Sequence, residues 1–482
     1  MAQESLKHKT VKGTLWSTIE RFSVQSITFV VMIVMARLLT PSDYGLVGML
    51  SVFIAISQSL IDSGFSQALI RKQDRSEIDN STVFYFNIAV GISLYLILFL
   101  SAPLIARFYH EPLLTPITRA VGLSLIFNSL VVVQRALLTV NLDFKTQAKA
   151  SFTGAIISGI AGILMAYKGF GVWAIVCQQL TNLAIFSVAL WVLSKWKPIR
   201  AFSWSSFREL FGFGSKLLAS GLLDTLYRNI YLIVIGKVFR ASDLGYYTRA
   251  NQFADFASSN ITGIMQRVTY PVLCSIQDDE VRLANVYRKL LKTSAFIIFP
   301  LMLGIAAVSK PLISTFLTDK WLFSAVLLQI ICFSQMWYPV HAINLNLLQV
   351  KGRSDLFLRL EIIKKIIGVA ILCLTLPLGL IALCWGMVAS SLIALVINTH
   401  YTGKLIHLGF FAQMRDLLPT FLLSSACAAT VYATVSLLPL TSGAILAIGI
   451  AEGIMLYALL ARLFRFNEFS ELMAIVGKQR RN

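Results

Sequence analysis

The sequence predicts an all-α integral membrane protein: about fourteen transmembrane helices, in two parallel six-helix lobes around a central cavity, plus a C-terminal helix pair. Three observations predict it. Of 482 residues, 57% are hydrophobic and only 13% charged, with a mean hydropathy of +0.74, a balance that a water-soluble surface does not tolerate. Apolar runs of hydrocarbon-crossing length recur along the whole chain. Finally, Ala36-Arg-Leu-Leu-Thr-Pro-Ser-Asp-Tyr-Gly45 has a degenerate copy in Gly236-Lys-Val-Phe-Arg-Ala-Ser-Asp-Leu-Gly245, each ending one apolar run and starting the next.

The expected spans fall at 14–38, 44–63, 82–106, 117–139, 150–167, 171–193, 213–238, 246–270, 292–309, 321–347, 358–377, 379–402, 416–437 and 442–464. In the repeated turn, Ser and Asp side chains are expected to bond backbone amides at a helix start, with glycine easing the corner. Six spans separate the two turns. An even number puts both on one side of the membrane, so the halves are parallel repeats related by rotation about the membrane normal. Weaker echoes agree: Leu137-Leu138-Thr-Val140 with Leu347-Leu348-Gln-Val350, and Gly171-Val-Trp-Ala174 with Gly379-Leu-Ile-Ala382. The domain reading is an N-lobe at 1–193, an amphipathic connector at 194–212, a C-lobe at 213–402 and a C-terminal pair with its tail at 403–482. In the connector, Phe202, Trp204, Phe207 and Phe211 recur at helical spacing, and Ser206-Phe-Arg-Glu209 fits a capping box.

Charge orients the chain. With both termini cytoplasmic, about 29 Lys and Arg residues face inward against about 9 outward, as the positive-inside rule requires. The net charge of +19 is thereby a topology signal, and nucleic-acid binding is not expected. Six dispersed cysteines without a C-x-x-C pair read as small core hydrophobes. The first apolar run is expected to stay as a signal anchor rather than be cleaved. There is no phosphate-binding loop, no nucleophile elbow and no H-E-x-x-H, and the five histidines are scattered, so no catalytic residue, cofactor or metal site is expected. Any uphill movement would draw on an ion gradient, the membrane potential or product consumption.

The spans nonetheless carry charge, which costs on the order of 2.5 to 3.5 kcal/mol per group at the bilayer centre unless it faces protein or water. Ser17, Arg21 and Gln25 share a face of span one, with Glu20 beside them. Gln58 and Asp62 lie on span two, and Ser220, Asp224 and Arg228 on span seven, with Asn229 adjacent. Asp255, Ser259, Thr262 and Gln266 line span eight, ending at Arg267. Gln335, Tyr338, His341 and Asn344 occupy span ten. The clustering fits a hydrated cavity made positive by Arg21, Arg228 and Arg267. Plainer alternatives stand beside it. Asp224 and Arg228 can pair within their helix, Glu20 with Arg21 can lie near the inner headgroups, Asp62 and Arg135 can be equally plain, and Asp43 and Asp243 can be turn caps.

The run 16–21, the stretch Met35-Ala-Arg-Leu-Leu-Thr-Pro-Ser-Asp-Tyr-Gly45, Asp62-Ser-Gly-Phe-Ser-Gln-Ala-Leu-Ile-Arg71 and Ala102-Pro-Leu-Ile-Ala-Arg-Phe-Tyr109 resemble the polysaccharide transporter branch of the multidrug/oligosaccharidyl-lipid/polysaccharide exporter superfamily, which includes the Wzx-type flippases. The resemblance is dense over the first 180 or so residues. It implies a flippase in the bacterial cytoplasmic membrane, working by alternating access on an undecaprenyl-pyrophosphate-linked oligosaccharide for lipopolysaccharide or another surface polysaccharide. The terminal helix pair is then expected to help shape a groove for the isoprenoid tail. Arg21, Asp43 and Arg267 match family-like cavity positions, and Arg228 and Gln25 complete the expected substrate set. Sodium or proton coupling is common in the superfamily, with Asp62, Asp224 and Asp255 as the candidate ion sites here. Polysaccharide polymerase and assembly proteins are the expected protein partners. Rival readings are a membrane glycan polymerase, which needs a large outer loop, a cation-coupled multidrug exporter, for which twelve spans are expected, and an assembly scaffold, in which cavity charge is dispensable.

Overall fold

The computed structural model describes residues 6–62, 64–194 and 196–479, apart from some side chains within helices. Those residues contain helices and no strand. The chain divides into two compact units, Met1–Gly245 and Tyr246–Asn482.

The first unit holds α1 (Leu6–Leu38), α2 (Pro41–Asp62), α3 (Phe65–Arg71), α4 (Glu77–Tyr109), α5 (Leu114–Ser129), α6 (Val132–Val140), α7 (Phe144–Tyr167), α8 (Val172–Leu193) and α9 (Trp204–Val238), and ends in the first turn of α10 (Ala241–Cys274). Helix α9, which opens the second repeat, packs antiparallel along α2: the Ser59 and Thr225 hydroxyls lie 3.2 Å apart, and Gly64 meets Gly214. At the other end of this pair the two copies of the repeated turn cross. A methyl group at Gly45 would lie 1.7 Å from the Ala241 carbonyl oxygen, and one at Gly245 would lie 1.9 Å from that of Pro41. The contact is reciprocal, so the first turns of α2 and α10 are related by a local two-fold rotation, and glycine is there because backbone meets backbone.

The second unit continues α10 and adds α11 (Glu280–Ala307), α12 (Ser309–Phe316), α13 (Leu322–Gln335), α14 (Tyr338–Val350), α15 (Ser354–Thr375), α16 (Leu380–Ile406), α17 (Phe410–Leu437), α18 (Ser442–Leu463) and α19 (Asn467–Gln479). Its internal features match those of the first unit in order. A proline lies inside α4 and α11, at Pro103 and Pro300. The units share a broken span, α5 and α6 parting at Leu130 and Val131, α13 and α14 at Met336 and Trp337. After each broken span the backbone closes identically: Asn141, Leu142 and Asp143 amides donate to the carbonyls of Leu137, Thr139 and Leu138, and Lys351, Gly352 and Arg353 amides to those of Leu347, Gln349 and Leu348. Gly171 and Gly379, at φ 54° and 99°, then start α8 and α16. The Leu-Leu-x-Val echo thus marks turns of the same hydrogen-bond pattern, and the glycine echo marks two helix starts at positive φ.

Among the described residues ten segments are long and apolar enough to cross a membrane: Pro41–Arg71, Glu77–Tyr109, Leu114–Val140, Phe144–Tyr167, Val172–Leu193, Glu280–Ala307, Asp319–Val350, Leu380–Ile406, Phe410–Leu437 and Ser442–Leu463. Four other long helices, α1, α9, α10 and α15, carry more polar and charged residues, and three of them are those on which the sequence places polar faces. No connection between successive helices exceeds that between Leu193 and Trp204, so the large outer loop a polymerase needs does not occur among the described residues.

The connector departs from expectation. Ser203 caps the helix, accepting from the Ser206 amide at 3.3 Å, and the aromatic stretch is the opening of α9 itself. Phe207 and Phe211 stack on each other and pack on Phe65 beneath, while Trp204 stays exposed. Glu209 reaches Lys72 at 2.9 Å and is not part of a cap. A helix beginning at Trp204 puts Ser206 within its first turn, where its own amide needs an acceptor.

Candidate functional site

In the first unit three helices, α1, α2 and α6, bring charge together. Ser151 on α7 donates from Oγ to Glu20 Oε1 on α1 at 2.7 Å, and Ser66 on α3 donates to Asp62 at the end of α2. Arg135 on α6 lays its guanidinium 4.4 Å from the ring centre of Phe186 on α8, and the carboxylates whose charge acts on it are Glu20 and Asp62. In the same unit, Lys72 pairs with Glu209 at 2.9 Å and with Asp79 at 3.2 Å. The hydrogen bond to Glu209 chiefly raises the Lys72 pKa, against the opposing effect of burial.

The residues expected from the sequence fall as follows. The side chain of Arg21 lies outside the described residues, and Gln25 is half-buried on α1. Asp43 belongs to a reciprocal cap: its carboxylate accepts from the Thr40 amide at 2.8 Å, while the Thr40 hydroxyl accepts from the Asp43 amide at 3.3 Å. Asp243 accepts from the Arg240 amide at 3.2 Å in the second copy, which lacks the hydroxyl half of the box. Asp224 and Arg228 pair within α9 at 2.7 Å, both well exposed. Arg267 and Asp255 are exposed on α10 in the second unit. The structure therefore joins Asp224 to Arg228 and places Asp62 with Arg135.

On span ten Tyr338 is exposed, but His341 and Asn344 are taken up by neighbouring helices. His341 lies between Ser391, 3.1 Å from Nε2, and Asn398, 3.2 Å from Nδ1. Asn344 exchanges two 3.1 Å bonds with Gln413 and accepts from the Thr402 hydroxyl at 2.7 Å, all three residues being buried. These bonds fasten α14 to α16 and α17, because amides at membrane depth must find partners inside the protein.

Two further features stand out, the first missed by the sequence reading and the second expected there only through the family resemblance. Asp416, almost fully buried on α17, accepts from Arg288 Nε at 2.7 Å and Nη2 at 2.6 Å and lies 3.5 Å from Lys292. Its signal was an acid at the start of span thirteen and two bases at the start of span nine, which no local pattern links. The second is a groove of about 580 Å³ between α11, α17, α18 and α19, walled by Phe296, Pro300, Val431, Ile454, Tyr457 and Leu472. A second pocket, of about 600 Å³, includes Lys292, Asp416, Arg465 and Phe466. The groove is lined almost wholly by apolar side chains, whereas the second pocket carries charge. Among the described residues no group of His, Cys, Asp and Glu side chains is placed to hold a metal ion.

Comparison with known proteins adds to this geometry. A family model described as polysaccharide biosynthesis protein matches residues 34–326. Relatives include the teichuronic acid biosynthesis protein TuaB of Bacillus subtilis (strain 168), 25% identical over 425 residues and 88% of each chain. The lipopolysaccharide biosynthesis protein WzxC of Escherichia coli (strain K12) is 25% identical over 398 residues, covering 82% of this chain and 80% of that one. Among solved structures, the lipid II flippase MurJ in an inward closed conformation aligns with a TM-score of 0.76 at 14% identity, over 95% of this chain and all of that one. An inward-facing multidrug resistance MATE family transporter aligns at 0.59 and 14% identity, over 83% and 94%. The helical fold is thus shared with both of these solved transporters.

Proposed function

We propose, from the premise that this chain belongs to the polysaccharide biosynthesis protein family, that it is a flippase moving an undecaprenyl-pyrophosphate-linked oligosaccharide across the bacterial cytoplasmic membrane for surface polysaccharide assembly. It is a transporter and not an enzyme. The observation that carries the reading is the family match across residues 34–326 in a chain whose long helices α1, α9 and α10 bear charge on faces that hydrocarbon would not tolerate. The finer layout is fourteen spans, the four polar helices joining the ten apolar segments, as two parallel six-helix repeats with both termini in the cytoplasm. The residues that meet substrate are Arg21, Gln25 and Arg228 in the first unit and Arg267 in the second, while Asp43 orders its turn. Guanidinium groups suit the pyrophosphate because they donate two parallel hydrogen bonds to its oxygens. The groove beside α17 and α18 takes the isoprenoid tail, and Asp62, Asp224 and Asp255 are the groups through which an ion gradient would act. The lipid is handed on to polymerase and assembly proteins.

A cation-coupled drug exporter is the second reading, favoured by the similarity to the MATE transporter. The span pair α17 and α18, beyond the twelve expected of such an exporter, supports the flippase instead.

The test is genetic. In a strain lacking the native gene, Arg267→Ala or Arg21→Ala is expected to lower surface polysaccharide about tenfold, the effect of losing some 1.4 kcal/mol of headgroup binding. Lipid-linked oligosaccharide would build up on the inner leaflet. Normal surface glycan at normal protein level would count against these substrate contacts, and drug sensitivity without a glycan defect would favour the exporter.

A further inference from the structure

We propose that Arg135 is the residue of the first unit that receives an anionic phosphate of the passing lipid, presented by the Phe186 ring and flanked by Glu20 and Asp62. The proposal rests on the flippase reading and names a contact for it beyond the arginines expected from the sequence.

Arg135 lies within the apolar segment Leu114–Val140, five residues before its end, or about 7.5 Å of helix. Its neighbours Val133, Gln134 and Ala136 are buried, yet its own side chain is exposed. Carboxylates on α1 and α2 act on it, and the ring it rests on belongs to α8, so three other helices of the unit bear on it. Among the described residues its guanidinium makes no hydrogen bond and has no carboxylate within ion-pair distance. A guanidinium stacked on an aromatic ring keeps its N–H donors in the plane, pointing outward. Glu20 and Asp62 are near enough to make the charge tolerable in a span, but each is hydrogen-bonded elsewhere, to Ser151 and Ser66. The donors thereby remain open to a ligand oxyanion.

The flanking acids set how firmly the ligand is held. The trio sums to one net negative charge, so a phosphate gains bidentate bonds to Arg135 while being repelled by both carboxylates. That balance gives weak retention, which suits a group that must be let go on the far side. It also gives opposite signs. Removing the arginine loosens phosphate binding, whereas neutralising either acid tightens it. An arginine that only anchors α6 at the inner headgroups produces neither effect.

The experiment uses the full chain in nanodiscs, with undecaprenyl pyrophosphate as probe and undecaprenol, the same tail without phosphate, as control. Arg135→Gln is expected to weaken pyrophosphate-lipid binding tenfold or more and Arg135→Lys about threefold, while Glu20→Gln and Asp62→Asn tighten it about threefold. Undecaprenol affinity and thermal midpoint should stay unchanged in all four. Free pyrophosphate should compete and free glucuronate should not; the reverse order would assign the contact to an acidic sugar and overturn the proposal. Wild-type affinity in Arg135→Gln, or in both Arg135→Lys and Glu20→Gln should the first variant fail to fold, would overturn it while leaving the flippase reading intact. A wild-type protein that binds neither lipid would take both down together.

Discussion

Gly45→Ala and Gly245→Ala each place a methyl group within 2 Å of a carbonyl oxygen on the facing helix, a gap that no rotamer relieves. Each is expected to destabilise the protein on the order of 3 kcal/mol or more, read as a lower thermal midpoint or lost expression in detergent extracts. Gly221→Ala in α9, where the added methyl meets nothing within 4 Å, should be neutral or slightly stabilising. The Ser-Asp-x-Gly pattern was legible as a helix start, and Asp43 does cap α2. The role of its glycine was not: nothing local in residues 42–45 says that Ala241 arrives opposite. Arg135 shows the same limit. Its presence in a span was visible in the sequence, but Phe186, Glu20 and Asp62 are 51, 115 and 73 positions away, and only packing sets them around it.

Elements inherit these pairings. Helix α17 is held to α11 by Asp416 and to α14 and α16 by the Asn344, Gln413 and Thr402 amide and hydroxyl bonds. Asp416→Asn removes the charge that two cations share. Because Arg288 is almost half exposed, the expected loss is modest, about 1–2 kcal/mol, measurable as a lower thermal midpoint. Proteolytic release of the α17–α19 segment should rise in parallel. At the other end of the chain, Lys72 ties the end of α3 to the start of α9. The raised pKa means its charge persists throughout neutral pH, so this contribution is present below the ordinary lysine value and is lost only as pH climbs past the raised one. The polar stripe read on span ten was a correct reading of periodicity. Its use was not legible, because a stripe of amides looks the same whether it faces water or bonds to another helix.

At the scale of the whole molecule, the charge count predicts which loops stay inside. A fluorescent reporter fused at the C-terminus should fold and glow, a periplasm-dependent phosphatase inserted after His110 should be active, and one inserted at Asp74 should be silent. Swapped activities at the two insertion points would invert the orientation. The sequence by itself determined the membrane class and the positions of its matching turns, because hydropathy, turn chemistry and repeat offset are properties read along the chain. Tertiary structure alone decided that α9 packs on α2, that two glycines cross backbone to backbone, that an acid on α17 gathers two bases of α11, and that Arg135 lies over the Phe186 ring. Each of those joins residues many tens of positions apart, and what brings them together is the shape of the packed helices, which no single segment carries.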